Sequence, residues 1–363
     1  MIHITIIVFA FVLSIICGFI SFPMIINFCK KKKLYDKPDL RKIHKNPIPR
    51  LGGICFVPSM VLSFVIAMLV QNYQLENKII TTNTWTIYVI FSLLLIYCLG
   101  IVDDLIGLNA KIKFTVQIMA ASALPLSGLY INNLYGLFGI YEIPFFIGCP
   151  LTILIIVFIS NAMNLIDGID GLCASLSFLA LAGFLYALIK EGIYEYCILI
   201  AGLMGVLIPY FFFNMFGKIE KGHKIFMGDS GSLTLGFILG FLLVKLSMQT
   251  PIELAHQNNK LFFAMSLLMI PSLDVVRVTL YRLYHHKPVF DSDKNHIHHK
   301  LMKSGLNQHS ALSIILTFAA FYIIINHTIL HVTNANIMVI ADIIIYSCFH
   351  LILNYFIKKN NNE

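Results

Sequence analysis

Eleven stretches of this chain stay apolar for about 18 residues or more, roughly 2–28, 51–70, 85–102, 113–131, 146–163, 172–190, 195–213, 231–248, 261–281, 310–330 and 335–357. A run of that length crosses bilayer hydrocarbon as a helix, because only a helix satisfies all its backbone polar groups within one segment. What remains between the runs is too short for a soluble domain. The expected fold is an all-α integral membrane protein, a polytopic bundle of about 11 transmembrane helices forming one domain over residues 1–363. Composition agrees: 12% of residues are charged and the mean hydropathy is +0.82, whereas soluble domains are about 25% charged. The formal charge of +8 suits anionic membrane lipid or anionic substrates, and no feature calls for nucleic acid. The eight cysteines form no C-x-x-C pair and lie mostly in apolar runs, so they read as small apolar residues. The first run is long and is followed, not preceded, by Lys30–Lys33, which fits a retained membrane helix better than a cleaved leader.

Lysine and arginine set the expected orientation. The segment 29–50 carries nine of them. If that side is cytoplasmic, the odd-numbered connections, the C-terminus and the inner end of the ninth helix together hold 22 of the 26 Lys and Arg. The N-terminus is then outside and the C-terminus inside. The same orientation places Asp36, Asp39, Asp103, Asp104, Asp167, Asp170, Asp229, Asp291 and Asp293 on the cytoplasmic side, with Asp274 in the inner half of the ninth helix and Asp342 apart. The candidate catalytic connections are 29–50, 103–112, 164–171, 214–230 and 282–309.

Five constellations on that side could carry chemistry. In GIVDDLIGL, the adjacent carboxylates Asp103 and Asp104 stay ionised together only beside cations; a divalent cation fits, and so does a helix cap. In NAMNLIDGIDGL, Asp167 and Asp170 share one face if helical, and Gly168 and Gly171 permit a tight turn; a plain polar loop is the alternative. In KIFMGDSGSLTLGF, Asp229 leads a glycine-rich entry into a helix, a place for phosphate or metal–phosphate, or simply a cap. In RVTLYRLYHHKPVFDSDKNHIHHK, Arg277, Arg282 and the lysines could clamp a diphosphate, and His296, His298 and His299 could contact phosphate or move protons. Zinc is less favoured there, since neither paired cysteines nor H-E-x-x-H is present. In DKPDLRKIHKNPIPRLGG, His44, Lys45 and Gly52–Gly53 add to what would otherwise be a lipid-contacting basic run. Pro271 is expected to kink the ninth helix and Pro288 to end its extension.

Taken in order, DKPDLRKIHKNPIPRLGG, VDDLIGL, NLIDGIDGL, FMGDSGS and DSDKNHIHHKL resemble the motifs of the polyprenyl-phosphate N-acetylhexosamine-1-phosphate transferases, from Asp36 to Leu301. The resemblance implies transfer of a sugar 1-phosphate from a UDP-N-acetylhexosamine to undecaprenyl phosphate at the inner face of a bacterial cytoplasmic membrane, with Mg²⁺ (or Mn²⁺) and release of UMP. It implies catalytic roles for Asp103, Asp104, Asp167, Asp170, His296, His298 and His299, and metal contacts from Asp229, Asp167 and Asp104. Substrate contacts fall to Lys45, Lys113, Asn164, Asn214 and Phe226, together with Arg277 and Arg282. A homodimer is one assembly this expectation allows. Gly107 stands where the muramoyl-pentapeptide branch has lysine, and HIHH replaces its three consecutive histidines, so the chain is more similar to the N-acetylglucosamine branch. In this reading the lipid phosphate attacks the sugar-bearing phosphorus with Asp103 as base or orienter, and a two-step route through an aspartyl-phosphate is the alternative. The rival readings are the muramoyl-pentapeptide transferase, a CDP-alcohol phosphatidyltransferase, whose D-G-x-x-A-R start is absent, and an ion-coupled transporter, which would hold its ionisable groups at the midplane.

Overall fold

The computed structural model describes residues 2–36, 47–74, 84–220, 222–248, 260–288 and 295–362. Thirteen helices account for most of them: α1 (Ile2–Lys32), α2 (Phe56–Gln74), α3 (Thr84–Ile106), α4 (Ala110–Leu126), α5 (Phe145–Ile166), α6 (Leu172–Lys190), α7 (Tyr194–Phe211), α8 (Asp229–Ser247), α9 (Lys260–Leu267), α10 (Met269–Tyr284), α11 (Ile297–Lys303), α12 (Gln308–Val332) and α13 (Ala335–Asn362). Two short antiparallel pairs complete it: β1 (Tyr35–Asp36) with β2 (Ile48–Pro49), and the hairpin of β3 (Asn133–Leu137) and β4 (Ile140–Glu142). This is a helical polytopic membrane protein. Among the described residues nine helices are long and apolar enough to cross a bilayer, ten if α9 and α10 count as one bent span.

The difference from the expected eleven lies at 113–131. There α4 spans 17 residues and ends at Leu126, where Ser127 and Gly128 turn the chain toward β3. The ninth run is broken as expected, by a 70° bend between α9 and α10. The break sits at Leu268, three residues before Pro271. The reason is local: Pro271 has no N–H to donate to the carbonyl of Leu267, so the hydrogen-bond ladder stops at that residue.

Everything is arranged around α8. Some 94% of its apolar window is buried, against 28% for α1, α3, α12 and α13, whose outer faces carry exposed Ile, Leu and Phe of the kind that lipid covers. It lies between α5 and α3. Close approach to α5 needs a residue without a side chain, and a Cβ on Gly236 would lie 2.5 Å from Cα of Ser160. Ser160 also donates from its hydroxyl to the Leu233 carbonyl at 2.9 Å, which ties the two helices together. The N-terminus of α8, and with it Asp229, is thus held at one end of the bundle by its neighbours.

Candidate active site

The site is built on the head of α8. A helix begins with N–H groups that no residue inside it can satisfy, and here the partner comes from another helix. Asp104, near the end of α3, accepts from the backbone N–H of Asp229 at 2.8 Å and of Ser230 at 3.0 Å, one on each carboxylate oxygen. It is 5% exposed. Its own carbonyl accepts from the Arg50 guanidinium. Arg50 arrives on a strand-like stretch in which Phe226 N–H donates to Pro49 O, Gly52 N–H to Phe226 O and Gly53 N–H to Met227 O, at 2.7, 2.9 and 2.8 Å. The segment after β2 and the segment before α8 therefore form one wall, which fixes the main chain of Phe226.

Asp103, one residue earlier, faces elsewhere because successive helical residues are rotated by about 100°. One oxygen accepts from Leu108 N–H at 2.6 Å, and the other meets the Lys113 ammonium. Lys113 also binds Asp229 Oδ2 at 2.8 Å, so one cation joins carboxylates from α3 and α8. Asn164 of α5 donates to the other Asp229 oxygen at 2.9 Å and lies 2.9 Å from Ser232 Oγ. Four helices thus meet at Asp103, Lys113, Asp229 and Asn164.

Asp167 closes α5 beside this cluster. Among the described residues its carboxyl has neither a hydrogen-bond nor an ion-pair partner. Burial, helped by the charges of Asp229, Asp170 and Asp104, pushes its pKa up to about 8. A cation beside it would favour its charged form. Among the described residues no three His, Cys, Asp or Glu side chains converge to hold a metal by themselves. Mg²⁺ takes one or two carboxylates and fills its other positions with water and substrate phosphate. Asp167 and the partly exposed Asp229 fit that requirement. Asp104 fits it less well, because both its oxygens hold backbone N–H groups of α8, whereas those of Asp229 meet the side chains of Lys113 and Asn164.

The other expected residues separate into distinct groups. Asp170 pairs with Lys224 at 2.5 Å on the stretch before α8. Asn214 is buried, accepts from Gly171 N–H at 2.7 Å and donates to Ile225 O at 2.9 Å, which fastens the wall. Arg282 is buried and donates to Pro288 O at 2.6 Å, which anchors the chain leaving α10. Arg277 pairs with Asp274 at 2.8 Å and reaches the Asn295 carbonyl. Arg277 and Arg282 are therefore committed to the loop they were expected to arm. Lys45, like His44, Asp291, Asp293 and Lys294, lies outside the described residues.

The histidine helix α11 is laid over the Asp167 turn. A Cβ on Gly168 would fall 2.0 Å from His298 Nε2, so glycine is what lets the two segments touch. His298 is 1% exposed, and among the described residues neither ring nitrogen has a hydrogen-bond partner. Burial, with His299 next to it, lowers its pKa to about 3, so the ring is neutral. His299 packs against it with ring centroids 4.2 Å apart. Lys300 is lowered to about 8 by burial and by Arg277. His296 donates from Nδ1 to Asp274 Oδ2 at 2.8 Å. Asp274 and Lys224 are partners that sequence reading left without a role. An acid inside an apolar run was the available signal for the first, and a lysine within the KIFMGDSGS stretch for the second.

Residues 86–247 match the family model described as "Glycosyl transferase family 4". Relatives extend the match over most of the chain. It is 31% identical over 319 residues, 85% of its length, to the "Probable undecaprenyl-phosphate N-acetylglucosaminyl 1-phosphate transferase" of Bacillus subtilis (strain 168), of which it covers 81%. It is 30% identical to the "Undecaprenyl-phosphate alpha-N-acetylglucosaminyl 1-phosphate transferase" of Yersinia pestis over 79% of this chain and 74% of that one. For the protein of the same name from Escherichia coli (strain K12) the figures are 30%, 80% and 75%.

Proposed function

We propose that this chain, which belongs to glycosyl transferase family 4, transfers GlcNAc 1-phosphate from UDP-GlcNAc to undecaprenyl phosphate and releases UMP. The observation that carries this is the joint between Asp103, Lys113, Asp229 and Asn164, beside an Asp167 whose carboxyl has no partner among the described residues. It is a site for a metal-bound diphosphate at the end of a membrane bundle, where a lipid phosphate and a soluble nucleotide sugar can meet. The named relatives support GlcNAc over the muramoyl-pentapeptide substrate. The Lys and Arg distribution supports a cytoplasmic face for the site.

Asp229 and Asp167 would hold Mg²⁺, which when bound would neutralise the diphosphate and ease departure of UMP. Asp104 holds α8 in place, so that Asp229 stands at a fixed point. Asp103 holds or takes the proton of the lipid phosphate, on the oxygen it now shares with Lys113. The lipid phosphate oxygen bonds to the sugar-bearing phosphorus, and the bond from that phosphorus to the oxygen of UMP breaks. Lys113, freed from Asp103, pairs with the charge that develops on the diphosphate. Asp170 and Lys224 line the nucleotide side.

The test is UMP release by purified protein supplied with undecaprenyl phosphate, Mg²⁺ and each of a panel of UDP-N-acetylhexosamines. UMP from UDP-GlcNAc, dependent on both Mg²⁺ and lipid, is the expected result. Absence of UMP with every donor would remove the transferase reading, and turnover of another sugar alone would correct the substrate.

A further inference from the structure

Among the described residues, the most heavily hydrogen-bonded acid lies outside the cluster described above. Asp274 of α10 is fully buried. Its Oδ2 accepts from His296 Nδ1 at 2.8 Å. Its Oδ1 accepts from Arg277 Nη2 at 2.8 Å, from the backbone N–H of Ile297 at 3.0 Å and from Tyr346 Oη at 3.2 Å. These donors belong to three helices, α10, α11 and α13, and to the chain just before α11. A buried carboxylate survives only when its oxygens are satisfied, and these donors satisfy them. The same contacts fix where α11 starts, because the acceptor for Ile297 N–H is a first-turn partner that the seven-residue helix could not supply itself.

A carboxylate only accepts, so His296 must carry its proton on Nδ1 when neutral. The opposite edge, Nε2, is then an acceptor. His296 stacks parallel to His298, with centroids 5.9 Å apart and planes within 5°. His298 in turn abuts Gly168, next to Asp167. The ring whose tautomer Asp274 sets is thus one ring away from the proposed diphosphate site.

We propose that Asp274 is a positioning residue for the transfer reaction, fixing the Nδ1–H tautomer of His296 and seating the histidine helix over Gly168, with Tyr346 of α13 as the third point of the clamp. This rests on the proposed transferase activity. Asp274 itself touches no substrate; it acts through His296. The surrounding charged and titratable groups are Arg277 on α10, His298, His299, Lys300 and Lys303 on α11, and Tyr346 and His350 on α13.

Two measurements test it. The first is a double-mutant cycle on UMP release. Asp274→Asn is expected to lower kcat by about tenfold or more, as loss of a histidine's orienting carboxylate does elsewhere. In a His296→Gln background the same change is expected to cost less than about threefold, because the residue it acts through is gone. Multiplicative effects would overturn the proposal, since a purely structural acid would damage both backgrounds equally. If Asp274→Asn fails to fold, Tyr346→Phe replaces it in the cycle with the same criterion. The second uses ¹⁵N-histidine NMR of the full chain in lipid nanodiscs, with His296→Gln assigning the signal. Neutral His296 is expected as the Nδ1–H tautomer, and as a mixture in Asp274→Asn. An Nε2–H tautomer in the unaltered protein would overturn the proposal. This second arm needs no turnover, so a protein that released no UMP would sink the transferase reading while the tautomer still decided this one.

Discussion

Replacing Asp104 with asparagine separates two roles that a membrane aspartate can have. The carboxylate gives one oxygen to each of two N–H groups at the head of α8, at 2.8 and 3.0 Å. A hydrogen bond to a charged acceptor contributes about 1.5–3 kcal/mol, and the negative charge gains up to about 2 kcal/mol more from the helix dipole when partly buried. Asparagine keeps one acceptor oxygen and turns its NH₂ toward the other N–H. One charged bond is lost, one buried donor is stranded and the dipole interaction disappears. The expected cost is about 2–5 kcal/mol, summing these terms with their overlap.

Thermal unfolding of the purified protein in detergent, with and without Mg²⁺, reads this out. Asp104→Asn is expected to lower the midpoint without Mg²⁺ and to keep the increment that Mg²⁺ adds. Asp167→Asn is expected to do the reverse. Asp167 has no partner among the described residues and its burial disfavours the charge, so its neutral replacement costs no stability without metal but loses the metal increment. If Asp104→Asn instead unfolds at the unaltered midpoint without Mg²⁺ and loses the increment, Asp104 is a metal ligand and its assignment to α8 is wrong.

Three further outcomes follow from the same geometry. Lys113→Met removes the internal cation shared by Asp103 and Asp229; kcat should fall at least about tenfold, while half-saturating Mg²⁺ falls about threefold because no ammonium competes for the acids, and a rise in that concentration would contradict the shared-cation reading. Because burial pushes the Asp167 pKa up to about 8, proton and cation would compete for it, so half-saturating Mg²⁺ should decrease as pH rises from about 6.5 to 8.5 and become much flatter in Asp167→Asn, as a Mg²⁺ titration of UMP release at several pH values would show. Gly168→Ala puts a methyl group 2.0 Å from His298 Nε2 and must displace the histidine helix; steady-state kinetics should show kcat reduced by about tenfold or more with the unfolding midpoint nearly unchanged, and full activity would mean that α11 is not held against this turn.

The chain announced its polar chemistry because charge is costly beside lipid, and the short motifs at helix ends mark where that cost is accepted. The break at Leu268 was also readable, since Pro271 necessarily frees the carbonyl four residues before it. What could not be read was the division of labour among the acids. Asp103 and Asp104 are neighbours of identical chemistry, yet one meets Lys113 and the other holds the head of α8. That outcome depends on where α8 begins relative to the end of α3, which is a packing fact. Asn214 and Arg282 looked like ligand contacts because polar groups in such motifs often are; the backbone groups they bond, of Gly171, Ile225 and Pro288, are ones that no side-chain pattern records. Asp274 inverts the case: it looked like a lone acid in an apolar helix, and its meaning came from Tyr346, far along the chain, and from the first turn of α11. In a membrane bundle, then, an acid facing substrate and an acid facing a helix end carry the same signature in the sequence. The criterion that separates them is whether the carboxylate accepts from a backbone N–H at the head of another helix, as Asp104 does for α8 and Asp274 for α11; Asp229 meets the side chains of Lys113 and Asn164. By that criterion Asp104 and Asp274 hold the architecture, and Asp229, with Asp167, remains available to the proposed cation.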